Sequence, residues 1–128
     1  MEEITANVSW LAVVVGAVVS FLAGWAWYSE RFFGKGWAEG AGVVLGSADQ
    51  MPMGAMAAQM VGLLLMSWFV SVTAVHNMLM TVILATLAFG VLAYSGSAFK
   101  RNSGYTRAVD FGYLVVALVI MIVANGIF

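Results

Sequence analysis

Apolar residues come in four long runs set apart by short polar segments. From about Val8 to Tyr28 no ionisable side chain occurs; further runs extend from about Met53 to Val75, Met78 to Ala98 and Ala108 to Phe128, the last with only Asp110 near its start. A helix that crosses a bilayer needs about 20 mostly apolar residues to span a hydrocarbon core roughly 30 Å thick, so each run is long enough to be one. The pattern therefore predicts an all-α protein, an integral membrane four-helix bundle forming a single domain over 1–128. Spans are expected at about 8–28, 53–75, 78–98 and 108–128, with loops over 29–52 and 99–107. Only Ala74 to Asn77 separate the second and third spans, a connection short enough to make them antiparallel neighbours. The longer connection holds Gly34, Gly36, Gly40, Gly42 and Gly46; it reads as a loop with at most a short interfacial helix around Trp37. Pro52 suits the first turn of the second span, with Asp49 or Ser47 as N-caps. The first run follows Met1-Glu2-Glu3-Ile4, acidic where a secretory signal peptide is basic, and so reads as a retained helix.

Charge placement adds an orientation. Arg31 and Lys35 follow the first span, and Lys100, Arg101 and Arg107 lie between the third and fourth, so all five basic residues share one side. Cytoplasmic loops carry the Lys/Arg excess, which predicts both termini on the extracytoplasmic face of a bacterial inner (cytoplasmic) membrane. Trp25, Trp27, Tyr28 and Trp37 mark the cytoplasmic interface of the first span, and Trp10 lies near its other end.

Composition narrows the class. The 128 residues are 63% hydrophobic and 9% charged, with a mean hydropathy of +1.00, whereas soluble domains carry about 25% charged residues. A soluble domain this small is largely surface, and so few charges cannot cover it; the bilayer is the expected surroundings. A net charge of −1 leaves no basic footprint for nucleic acid. With no cysteine there is no disulfide, thiolate metal site or cysteine nucleophile, and the scattered carboxylates lack ligand spacing.

Within the spans three features could carry function. The first has a small residue every fourth position, Ala12, Gly16, Ser20 and Gly24; the second repeats this with Gly54, Ala58 and Gly62, and the third carries Thr86, Gly90, Ala93 and Ser97. Such seams let helix backbones approach closely, and in lipid that contact drives association. They serve either the bundle itself or, most readily for the first span, a partner chain. Gln59, Ser67 and Ser71 fall near one face of the second span. They suit interhelical hydrogen bonds worth roughly 0.6 kcal/mol each, or else a ligand or substrate path. No His or Lys shares their span to activate either serine, so nucleophilic catalysis lacks its base. Asp110 lies three residues after Arg107, which predicts a pair across one turn at an interfacial helix start. The small multidrug-resistance transporters share this size and helix count but depend on a carboxylate inside the first span, which is missing here. His76 is the one imidazole that could take a haem or pigment; in a four-residue turn, without a paired ligand, it reads as a solvated interfacial residue, and no cofactor or metal is expected. Met56 and Met60, one turn apart, suggest adaptable packing before they suggest a soft metal.

The residues Gly24, Trp27, Tyr28, Ser29, Phe33, Gly34, Lys35 and Trp37 resemble the loop motif of the bacterial membrane-protein family called domain of unknown function 1761, and the likeness continues through Asn102, Gly104 and Tyr105. Glu30 stands where that family has a proline, and Ala93-Tyr94-Ser95-Gly96 where it tends to a tryptophan-containing segment. The resemblance implies a four-helix integral membrane protein with no assigned activity. Read physically, Trp27, Tyr28, Phe33 and Trp37 would anchor the loop at the headgroup level while Arg31 and Lys35 meet lipid phosphates. The expected function is non-enzymatic: an accessory or assembly subunit, or a homo-oligomer, acting through helix packing. The alternative is a small transporter or a protein that binds lipid or a hydrophobic ligand.

Overall fold

A computed structural model describes residues 2–29, 32–41, 53–99 and 102–128. Glu30, Arg31, Gly42, Gly46, Ser47, Asp49, Pro52, Lys100 and Arg101 lie outside the described residues, and with them the expected N-caps of the second span. The described chain is helical, without strands: α1 (Glu2–Thr5), α2 (Trp10–Trp27), α3 (Gly34–Ala41), α4 (Met53–Val75), α5 (Leu79–Phe99) and α6 (Gly104–Ile127). Of these, α2, α4, α5 and α6 are long and apolar enough to cross a membrane.

Local chemistry sets the helix ends. Ser9 caps α2, its Oγ accepting from the Ala12 N–H at 3.2 Å. Ser103 caps α6 in the same way, accepting from the Thr106 N–H at 3.0 Å. Hydropathy alone places the last span at Ala108, but α6 begins four residues earlier, at Gly104. A capping serine satisfies an otherwise unpaired N–H, so the helix runs through the polar residues Thr106 and Arg107. Between α4 and α5 the chain reverses at Asn77, which takes a left-handed φ of 55°. There the Met78 N–H donates to Thr73 O at 2.8 Å and the Asn77 N–H to Ala74 O at 3.2 Å, closing the last carbonyls of α4. Asparagine tolerates this conformation better than most residues.

Helix α6 is the hub: α2, α3, α4 and α5 all pack on it, and α2 packs on α4 as well. The two antiparallel neighbours α4 and α5 touch less than either touches α6. Burial on α2 follows the small-residue face, Ala12, Gly16, Ser20 and Gly24, with Val13 and Ala17 beside it. Ala17, Leu63, Val70, Val82, Ala117, Leu118 and Met121 form the core. Polarity is inverted relative to a soluble domain. Ser20, Ser67, Ser71, Thr73, Thr86 and Thr106 are buried, while Leu84, Phe89 and Leu92 on α5 are 65–69% exposed. In water such an exterior would be a large unsatisfied apolar patch; against hydrocarbon it is the favourable arrangement, with backbone polar groups satisfied inside each helix.

Candidate functional site

The most chemically elaborate region lies where α2 ends, α3 begins and α6 starts. Past α2 the chain turns: the Tyr28 N–H donates to Gly24 O at 3.0 Å, Ser29 Oγ donates to Ala26 O at 2.8 Å, and the Phe33 N–H donates back to Trp27 O at 3.2 Å. Gly34 and Lys35 then open α3. On α6, Thr106, Asp110 and Tyr113 recur at helical spacing and share one face, and the turn and α3 close over that face. Thr106 Oγ1 donates to Trp37 O at 2.8 Å, and the Ser103 N–H donates to Gly40 O at 3.1 Å, docking α3 on the start of α6.

Asp110 is the centre. Its Oδ1 accepts from the Tyr28 hydroxyl at 2.5 Å and from Trp37 Nε1 at 2.9 Å. The two rings meet edge to face, centroids 5.4 Å apart, and Tyr28 meets Tyr113 in the same manner at 5.6 Å. Trp27 Nε1 donates to Val109 O at 2.9 Å, and its ring packs 4.5 Å from Phe33. Burial, followed by the hydrogen bond to Asp110 and its charge, pushes the Tyr28 hydroxyl well above the usual tyrosine range, which keeps it a donor.

One expectation is corrected here. Asp110 does not pair with Arg107 at a helix start. Because α6 begins at Gly104, Asp110 sits in its second turn and faces the aromatic donors, while Arg107 donates to Ser103 O at 3.3 Å and lies over the Tyr94 ring at 5.0 Å. The polar atoms of Trp27, Tyr28 and Trp37 are turned inward onto α6. The exposed aromatics at this end are Trp25 and Phe32, each 65% exposed. A buried Trp or Tyr seeks a partner for its N–H or O–H. Three such donors, Trp27, Tyr28 and Trp37, beside a span that holds one carboxylate are the signal in the sequence that joins the motif to Asp110.

The remaining singled-out residues separate into inner and outer sets. The α2 seam faces α4 and α6 rather than a partner chain: a Cβ added at Gly16 would lie 2.8 Å from Ser67 Oγ and 3.3 Å from Met121 Cγ, and one at Gly24 would lie 2.8 Å from the Tyr113 hydroxyl oxygen. On α4, Gly54, Ala58 and Gly62 are exposed, and nothing lies within 4 Å of a Cβ at either glycine. Ser67 Oγ donates to Val13 O at 2.8 Å, and Ser71 Oγ to Asn125 Oδ1 at 2.5 Å, so both hydroxyls are engaged between helices. Gln59 stays exposed, and the Tyr113 hydroxyl donates to Ser20 O at 2.6 Å. At the far end His76 is exposed in the α4–α5 turn, 3.5 Å from Glu3 O. Beside that turn a cleft of about 240 Å³ opens between Val70, Thr73, Val82, Ile122 and Asn125. Among the described residues no three His, Cys, Asp or Glu side chains gather as a metal site would require.

Residues 11–126, nearly the whole chain, match the family described as Protein of unknown function (DUF1761). The chain belongs to this family. No curated protein and no solved structure matches it. The DUF1761 match takes in α2 through almost all of α6, and so includes both the node around Asp110 and the outward stripe of α4.

Proposed function

We propose that this DUF1761 protein is a non-enzymatic, multi-pass protein of the bacterial inner membrane, with both termini extracytoplasmic, that works by packing against other membrane helices, first of all a second copy of itself. The observation that carries this reading is the α4 stripe of Gly54, Ala58 and Gly62, which has open space in front of it while the equivalent stripe on α2 is filled from within. A small-xxx-small face admits close backbone approach in lipid, and a two-fold contact needs only one such face per chain. The placement of all five Lys and Arg residues supports the orientation. Support for a non-enzymatic role comes from the serines, whose partners are a backbone carbonyl and an amide rather than a base.

The chain holds no cysteine, so one can be introduced cleanly. Ala58→Cys is expected to yield a disulfide-linked dimer on mild oxidation in native membranes, whereas Leu84→Cys, on the outer face of α5, is expected to stay monomeric. Equal monomer in both, together with a monodisperse monomer in mild detergent, would remove the self-packing reading. Recovery of a different protein crosslinked at position 58 would replace it with that of an accessory subunit.

A further inference from the structure

Asp110 is held in an unusual state for a half-buried carboxylate. Its hydrogen-bond partners, the Tyr28 hydroxyl and Trp37 Nε1, both converge on Oδ1 and both are neutral. They fix the direction of the carboxylate without cancelling its charge. The opposite oxygen, Oδ2, accepts no hydrogen bond, yet it is not sealed in; among the described residues the one fully enclosed side-chain polar atom without a partner is Ser20 Oγ. Oδ2 is therefore not fully enclosed. Arg107, one turn away, is committed to the Tyr94 ring and Ser103 O. Partly burying a carboxylate with no countercharge is costly, and that cost is relieved when a cation occupies the open oxygen.

The geometry also selects the kind of cation. A guanidinium binds best through two parallel hydrogen bonds to both carboxylate oxygens, but Oδ1 is already taken by two donors. A divalent metal requires several oxygen ligands, and among the described residues no three His, Cys, Asp or Glu side chains gather to supply them. An ammonium needs a single acceptor oxygen and brings its own N–H donors. The site lies where Trp and Tyr gather at the end of the bundle, the level at which such residues meet lipid headgroups. We propose that Asp110 Oδ2, held in place by Tyr28 and Trp37, is the receptor for a primary ammonium group, supplied by an ethanolamine-type lipid headgroup or by a free primary amine. This site is independent of the α4 stripe and of the oligomeric reading built on it.

The first test uses the wild-type protein in mild detergent with short-chain phosphatidylethanolamine, its mono-, di- and trimethylated forms, and short-chain phosphatidylglycerol, with thermal stability read after each addition. Phosphatidylethanolamine is expected to raise the midpoint most. The gain should shrink with each methyl group that replaces an N–H and vanish for the trimethylated and glycerol lipids. Equal shifts across the series would overturn the proposal. Free ethanolamine run alongside distinguishes the sources, since a matching shift points to a soluble amine and a much smaller one to the lipid. In the second test Asp110→Asn keeps a carbonyl oxygen for Tyr28 and Trp37 but puts an NH₂ donor where Oδ2 was. The variant is expected to fold and to lose at least tenfold in preference for phosphatidylethanolamine over phosphatidylglycerol among copurifying lipids. Preference unchanged from wild type would overturn the proposal, and the methylation series keeps it testable should the variant fail to fold.

Discussion

At Gly16 the bundle has no room for a methyl group, because Ser67 Oγ already occupies the place a Cβ would approach. The same hydroxyl donates to Val13 O, so one side chain both bonds across α2 and α4 and sets how closely they meet. Gly16→Ala is expected to cost about 1–2 kcal/mol through overpacking, and clearly less in a Ser67→Ala background, where the obstructing oxygen is gone. Ser67→Ala alone should cost near 0.6 kcal/mol, typical of an interhelical hydrogen bond in a membrane. Ser20 is the counterexample: it is fully buried, but its Oγ has no partner. An unpaired buried hydroxyl is a penalty rather than an asset, so Ser20→Ala is expected to leave stability unchanged or raise it slightly. Thermal unfolding in detergent, followed by circular dichroism, measures all of these. The sequence shows Ser20 and Ser67 alike as small polar residues in apolar spans. Only packing separates the bonded hydroxyl from the stranded one.

Among the elements, the four long helices and the short helix around Trp37 were legible because hydropathy and glycine content are local signals. The start of α6 was not, since Arg107 and Tyr105 read as loop while the capping hydroxyl of Ser103 overrides them. Ser103→Ala is expected to cost about 1 kcal/mol and to speed hydrogen exchange at the Thr106 N–H, leaving the interior of α6 protected. An unchanged exchange rate at Thr106 would mean that contacts with α3 rather than the cap hold this end. The role of Asp110 was hidden for a related reason: its partners Trp37 and Tyr28 lie 73 and 82 residues away in sequence. No window of hydropathy, and no i to i+3 pairing rule, reaches that far. The α2 seam was legible as a seam, but whether a neighbouring helix or a partner fills it depends on which helices pack together, which spacing alone does not encode.

For the molecule as a whole, small and polar residues share the interior with the apolar core while many large apolar residues lie outside, an arrangement that suits hydrocarbon. Under the proposed orientation, the end bearing Asp110 and Arg107 faces the cytoplasm and the α4–α5 turn faces away from it. A cysteine introduced at Phe128 is expected to react with a membrane-impermeant maleimide in intact spheroplasts, and one at Gly104 only after permeabilisation. The reverse pattern would invert the topology, and with it the leaflet that supplies a ligand to Asp110. Because the Trp27 and Tyr28 side chains and the Ser20 backbone carbonyl find their partners on α6, the order of biosynthesis matters. As the chain leaves the ribosome, α2 and α4 can join through Ser67 as soon as both are inserted, but the other side of α2 stays bare until α6 has been translated. A nascent chain stalled before Gly104 would therefore sit in the bilayer with an open glycine groove and unpaired indole and phenol donors, features by which quality-control proteases could tell an unfinished copy from a finished one.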